Sequence, residues 1–211
     1  MKKNIPVILF LVATLTLGSL FILPMWKIAL IAPQYPTGVE MLIWINKLGG
    51  KEPGTLQNIN ILNHYVGMKP IEPDSIPELK FFPWVILGMM GLGLIIAFTR
   101  SAKLYLTWTV VFSLLCMAGL YDFYLWEYDY GHNLSANAPM KFEDTYYQPP
   151  LIGSKTILNF TAQSYPATGG YLIGLSILLA FTAWWLLRKN KKNEAAITDT
   201  KHAHSSSGVF G

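Results

Sequence analysis

Charge is scarce in this chain. Asp, Glu, Lys and Arg make up 13% of its 211 residues, against about 25% in a soluble domain, which excludes a water-facing surface along much of its length. Cysteine is nearly absent. Cys116 stands alone, so no internal disulfide can form, and a thiol inside an apolar run reads as packing. Signatures of catalysis and cofactor attachment are missing too: no Cys-x-x-Cys-His, no P-loop, no Gly-x-Ser-x-Gly and no His-Glu-x-x-His. None of the long apolar runs holds a histidine, which excludes the paired axial ligands of a membrane cytochrome.

What is present is apolar bulk, 52% of residues, gathered into four runs at 5–26, 81–98, 104–126 and 170–187. Each is long enough to cross a hydrocarbon core of about 30 Å as a helix rising 1.5 Å per residue. Helix is the expected form, because lipid cannot satisfy open backbone groups. The pattern predicts an all-α membrane protein with four transmembrane helices. The first, within residues 1–26, exceeds a signal peptide's apolar region and has no clear cleavage site, so it reads as a retained anchor.

Basic residues orient the spans. Lys2, Lys3, Arg100, Lys103, Arg188, Lys189, Lys191, Lys192 and Lys201 fall on one side with only Glu194 and Asp199 against them. The other seven lysines share the chain with ten acids. Both termini, the link 99–103 and a flexible tail 188–211 are therefore expected in the cytoplasm of a bacterial inner membrane. Loops 27–80 and 127–169 are expected in the periplasm. The basic residues hug span ends and form no folded patch, which argues against nucleic acid as a partner. Aromatic rings at the outer span ends, among them Trp26, Trp84, Tyr124 and Trp126, fit the headgroup level.

The two long loops are expected to fold together as one small cap. In the first, 39–46 is β-rich, a glycine-proline stretch follows, and 56–62 reads as a second strand, so a β-hairpin is expected there. Residues 63–66 could instead begin a helical turn that Gly67 ends. The second loop is aromatic and proline-marked, and 146–153 reads as a packed irregular segment. Its low charge argues against disorder.

Both histidines outside the tail lie in these loops. His64 and Met68 are four residues apart, so a helical turn would let imidazole and thioether reach one ion. Such soft ligands suit Cu(I) better than a hard cation. His132 and Met140, in the other loop, could complete the set. The plainer alternative is a hydrogen-bonding loop histidine and a packing methionine. Asp122, Glu127 and Asp129 form a second group, with Asp122 and Asp129 on one stripe if the third span stays helical to Tyr130. Asp122 lies within a span, where ionisable groups are costly. The group could bind a cation, relay a proton, dock a partner or pair with a lysine. His202 and His204 form a His-Ala-His pair in the tail, which reads as a polar end.

Asn63-His64-Tyr65-Val66-Gly67-Met68, taken with Tyr130-Gly131-His132-Asn133-Leu134, Tyr147-Gln148-Pro149-Pro150-Leu151-Ile152-Gly153 and Leu158-Asn159-Phe160, resembles a family of small membrane proteins of Bacteroidetes-like bacteria. That family is associated with nitrous-oxide reductase gene clusters, beside a copper chaperone and a maturation ABC transporter. The likeness covers both loops and the spans between them. It implies copper handling on the periplasmic side and brings no catalytic residues. The expectation is a non-enzymatic accessory protein that handles copper or scaffolds maturation of a copper enzyme, with membrane or periplasmic proteins as partners. The alternative is an anchoring subunit of a respiratory complex with no metal of its own.

Overall fold

The computed structural model describes residues 4–140, 146–157 and 159–207, with side chains as far as Glu194. Lys2 and Lys3 lie outside the described residues, as do the side chains of Lys201, His202 and His204.

Helix α1, Ile5–Thr16, starts on a proline in its first turn, where a missing amide costs nothing. It tightens into a 3₁₀ segment, Leu17–Phe21. The helix does not run to residue 26 as its apolar pattern predicts. Pro24 has no amide to continue it, and Trp26 opens a strand. Trp26 is thus a sheet residue whose Nε1 donates to Ser164 Oγ at 2.7 Å. The other apolar runs become α3 (Glu78–Thr99), α4 (Ala102–His132) and α5 (Thr168–Ser207). These three are long and apolar enough to cross a membrane, α5 through Thr168–Glu194. Little more than a fifth of each apolar stretch is buried, leaving side chains such as Ile95, Phe98 and Leu178 turned outward. Beyond Arg188, α5 continues as helix to Ser207, where a flexible tail was expected.

α1 and its 3₁₀ segment are inmost, with Phe10 and Ala13 of the helix and Leu17 and Leu20 of the segment almost fully buried. Phe10 stacks on Tyr105 of α4 at 4.0 Å. Polar groups here are satisfied between helices: Trp108 Nε1 donates to Met89 O at 2.9 Å and Ser176 Oγ to Ala13 O at 2.8 Å. Only Arg100 and Ser101 separate α3 from α4, and Arg100 Nη2 donates to Asn4 Oδ1 at 3.0 Å. That end of the helices carries Arg100, Lys103, Arg188 and Lys189; the opposite end carries the cap, whose lysines are mixed with acids.

The all-α expectation fails in the cap, which contains a five-stranded antiparallel sheet. Its strands are β1 (Trp26–Ala32), β2 (Tyr35–Ile43), β3 (Leu48–Gly50), β4 (Gly153–Ile157) and β5 (Phe160–Pro166), in the order β3-β2-β1-β5-β4. β1 sits between a strand of its own loop and one from the second loop, with Trp26 opposite both Ile43 and Pro166. The two long loops therefore form one body. The hairpin of the first loop is β1–β2, not 39–46 with 56–62. Residues 56–62 belong to helix α2, Thr55–Val66, whose buried positions Thr55, Ile59 and Asn63 repeat every four residues. Glycines in the left-handed region, Gly54 and Gly67, bracket that helix.

α4 joins the two parts. Its 31 residues reach about 46 Å, so it overshoots a hydrocarbon core of about 30 Å by roughly ten residues. The overshoot is packed: Phe123, Trp126 and Tyr130 lie against the cap core of Ile28, Val39, Met41, Ile59 and Ile71.

Candidate functional site

Between the sheet and this last stretch of α4 lies a cavity of about 830 Å³ with a mostly apolar wall. Strand alternation builds one side. Ile28, Leu30 and Ala32 of β1 and Phe160 and Ala162 of β5 face it at every second residue, joined by Met41 of β2. α2 supplies Ile59, Leu62, Asn63, Tyr65 and Val66, and α4 supplies Trp126, Glu127 and Tyr130. Tyr147 and Pro149 close the wall beside α4.

Three contacts fix that geometry. The Asn60 amide clamps the chain after α2, accepting from Ile71 N at 2.7 Å and donating to Ile71 O at 3.1 Å. Ser135 N donates to Gly67 O at 2.7 Å, tying the end of α2 to the segment that leaves α4. Tyr147 N donates to Gly131 O at 2.9 Å, and a Cβ on Gly131 would sit 2.5 Å from Gln148 backbone atoms. The 146–150 segment can lie this close only because position 131 has no side chain.

Glu127 is the chemical anomaly of the cavity. It is fully buried, and among the described residues neither carboxyl oxygen has a hydrogen-bond partner. Burial pushes its pKa up to about 8, so the group is mostly protonated near neutral pH. It lies beyond the membrane-crossing part of α4, among cap residues. The Tyr147 hydroxyl is likewise buried and without a partner among the described residues, and burial pushes it up as well. Two other polar groups of the wall are engaged: Tyr130 OH donates to Pro70 O at 3.2 Å and Asn63 Nδ2 to Lys69 O at 3.3 Å; Gln34, Tyr65 and Asn159 also line the space. Among the described residues the lining contains no Lys, Arg or His.

The structure divides the four proposed metal ligands. Met68 and Met140 both line the cavity. His64 opens onto a separate shallow depression with Gln57, Asn60, Ile61 and Tyr65. The cause is local: α2 ends between His64 and Met68, where Gly67 turns left-handed at φ +82° and Met68 N donates back to Asn63 O at 2.8 Å. A shared helical face for the pair is thus lost. His132 is stacked between Tyr128 at 3.9 Å and Tyr146 at 4.7 Å, and its Nδ1 contacts Tyr128 O at 3.0 Å. Among the described residues no three His, Cys, Asp or Glu side chains gather to hold a metal ion.

The acids also part company. Asp129 faces solvent, where Lys69 Nζ meets its Oδ2 at 2.8 Å and Asn133 Nδ2 donates to Oδ1. The Lys69 hydrogen bond, then that of Asn133, hold this carboxyl below the usual range. Asp122 is half-buried nearer the membrane part of α4. Of the three acids, only Glu127 belongs to the cavity wall. Sequence reasoning grouped it with its neighbours and did not single out Met41 or Tyr147. The available signal was its setting, with aromatic Phe123, Trp126 and Tyr130 at four and one residues before and three after, a stripe too apolar for a solvated acid.

Fold and cavity together define a membrane-type helical protein whose sheet-and-helix cap encloses a space of ligand size. No protein-family model matches the sequence, and no curated protein matches it.

Proposed function

We propose that this is a non-enzymatic membrane accessory protein whose extracytoplasmic cap binds a small apolar guest in the cavity between sheet and α4. One observation carries the reading: a fully buried carboxyl, Glu127, without a partner among the described residues, set in the wall of a mostly apolar space of about 830 Å³. Leaving a buried polar group without a partner costs about 1–3 kcal/mol, a cost that a guest supplying the partner would remove. Apolar pockets of roughly 300–1,000 Å³ with a few polar groups are the usual form of a small-molecule site. Four passes fit this reading. α1 and its 3₁₀ segment, 12 and 5 residues, together reach about 28 Å. The basic residues at the end away from the cap orient the cap toward the periplasm of a bacterial inner membrane.

The test is binding of a fluorescent apolar probe to the full-length protein in detergent. Ala162, 1% exposed on the cavity face of β5, is the position to fill. Wild type is expected to bind the probe saturably and Ala162→Phe to lose it with the fold intact. Equal binding by both would sink the proposal.

A second reading, copper handling, is favoured by Met41, Met68 and Met140 sharing the cavity wall. Thioethers suit Cu(I). In this reading the sulfur atoms hold the ion and the two imidazoles do not.

A further inference from the structure

We infer that the guest of this cavity is an apolar amine, its ammonium paired with the Glu127 carboxylate. The inference rests on the binding reading above and names the guest's chemistry.

The cavity wall offers one carboxyl, electron-rich sulfur and rings, and no cation among the described residues. Glu127 lies in the wall with its two oxygens just beneath the surface and without a partner among the described residues, and Met41, Met68 and Met140 contribute thioethers. Trp126, Tyr130 and Phe160 add aromatic rings, whose faces attract cations. Of the polar groups on the wall, Asn63 is bonded to Lys69 O and Tyr130 to Pro70 O, while Gln34, Tyr65, Tyr147 and Asn159 are neutral donors that carry no positive charge. An anionic guest would meet no cation among the described lining residues and would repel Glu127 once ionised. A neutral guest could take an uncharged hydrogen bond from the protonated acid or from another polar group of the wall. An ammonium takes a charge-assisted hydrogen bond in a site shielded from water, roughly twice as strong as a neutral one, and finds ring faces and sulfur around it. The apolar remainder of the cavity then takes the hydrocarbon body.

The protons balance simply. Before binding, Glu127 carries its proton; the amine arrives as an ammonium with its positive charge. On binding, the Glu127 proton leaves to solvent, so one proton is released for each amine taken up. The other titratable groups on the wall are phenols: Tyr130 on α4, Tyr65 on α2 and Tyr147. The cavity faces of β1, β2 and β5 present none. Glu127 is therefore the group that gives up the proton.

The experiment compares phenylbutylamine with phenylbutanol, near-isosteres differing in the charged head, by calorimetry on the full-length protein in detergent near pH 7. Two buffers of different ionisation enthalpy report proton release. The amine is expected to bind at least about tenfold tighter than the alcohol, with close to one proton released, and Glu127→Gln to erase the preference while still binding the alcohol. Equal affinity of wild type for both, with no proton release, overturns this inference and leaves the binding reading standing. Binding of neither compound overturns both. The wild-type proton count keeps the test decisive even if the variant does not fold.

Discussion

The main-chain amide of Tyr147 donates to the carbonyl of Gly131 at 2.9 Å, one helical turn beyond Glu127. The last four carbonyls of a helix have no partner within it, so α4 ends by handing one to the second loop. This contact brings the Tyr147 ring beside the cavity and closes the wall over a buried acid. The bond and the missing side chain at position 131 work as one joint.

Gly131→Ala tests that joint. On an isolated helix, alanine is better than glycine by about 1 kcal/mol. Here the new methyl would meet Gln148 N and Cα at 2.5 Å, main-chain atoms that cannot rotate away. Overpacking of this kind typically costs 1–3 kcal/mol, as an order of magnitude, so the variant is expected to be less stable despite its better propensity. Thermal unfolding in detergent and protease cutting within 146–152 measure it. A rise in stability would show that the loop does not press on α4.

Glu127 should make stability fall as pH rises. Its folded pKa of about 8 lies above its ordinary 4.5, so the folded state holds the proton more tightly than the unfolded chain does. The contribution is complete below about 4.5 and is lost as pH climbs through about 8, with a slope of at most about 1.4 kcal/mol per pH unit. Glu127→Gln removes the titration, and its melting temperature is expected to vary less between pH 5 and pH 8 than that of wild type. An unchanged slope would assign the dependence to another group.

Asp129, two residues on, has the opposite sign and a smaller effect. Lys69 lowers its pKa, so its contribution is present above the ordinary carboxylate value and lost as pH falls through the lowered one. Both side chains are about half exposed, and exposed pairs are worth about 0–1 kcal/mol. A double-mutant cycle with Lys69→Met and Asp129→Asn should give a coupling within that range.

These two acids show what could be read from residues alone and what could not. The long helices α3, α4 and α5 announce themselves because lipid requires unbroken apolar runs, a purely local property. Strand pairing is not local. β1 hides at the end of an apolar run, and Gly153–Ile157 has too little apolar character to be noticed until β5 lies beside it. The stretch 56–62 looks strand-like by composition, yet its every-fourth-residue stripe, Thr55, Ile59, Asn63, between two glycines marks a helix. Glu127 and Asp129 differ by two positions on α4. Which of them meets solvent depends on a sheet built from residues more than a hundred positions apart.

If copper is a guest, the sulfur atoms and not the imidazoles should hold it. Met68 and Met140 line the cavity, whereas His64 and His132 lie on other surfaces. Cu(I) retention against a competing chelator is therefore expected to survive His64→Ala with His132→Ala and to be lost in Met68→Leu with Met140→Leu. Leucine keeps nearly the same volume, so loss would report the missing sulfur. The reverse pattern would return the site to the histidines.

Cys116 makes the proposed orientation easy to test, because it is the chain's single cysteine. With Cys116→Ala as background, one new cysteine can be placed at either end of the helices. Glu52 is exposed in the cap between β3 and α2, and Arg100 is exposed in the link between α3 and α4. Arg100, Lys103, Arg188 and Lys189 give the Arg100 end an excess of positive charge, and positive charge is retained on the cytoplasmic side. A membrane-impermeant maleimide added to spheroplasts is expected to label Glu52→Cys at once and Arg100→Cys only after the membrane is opened. Labelling in the opposite order would turn the cap, its cavity and Glu127 toward the cytoplasm.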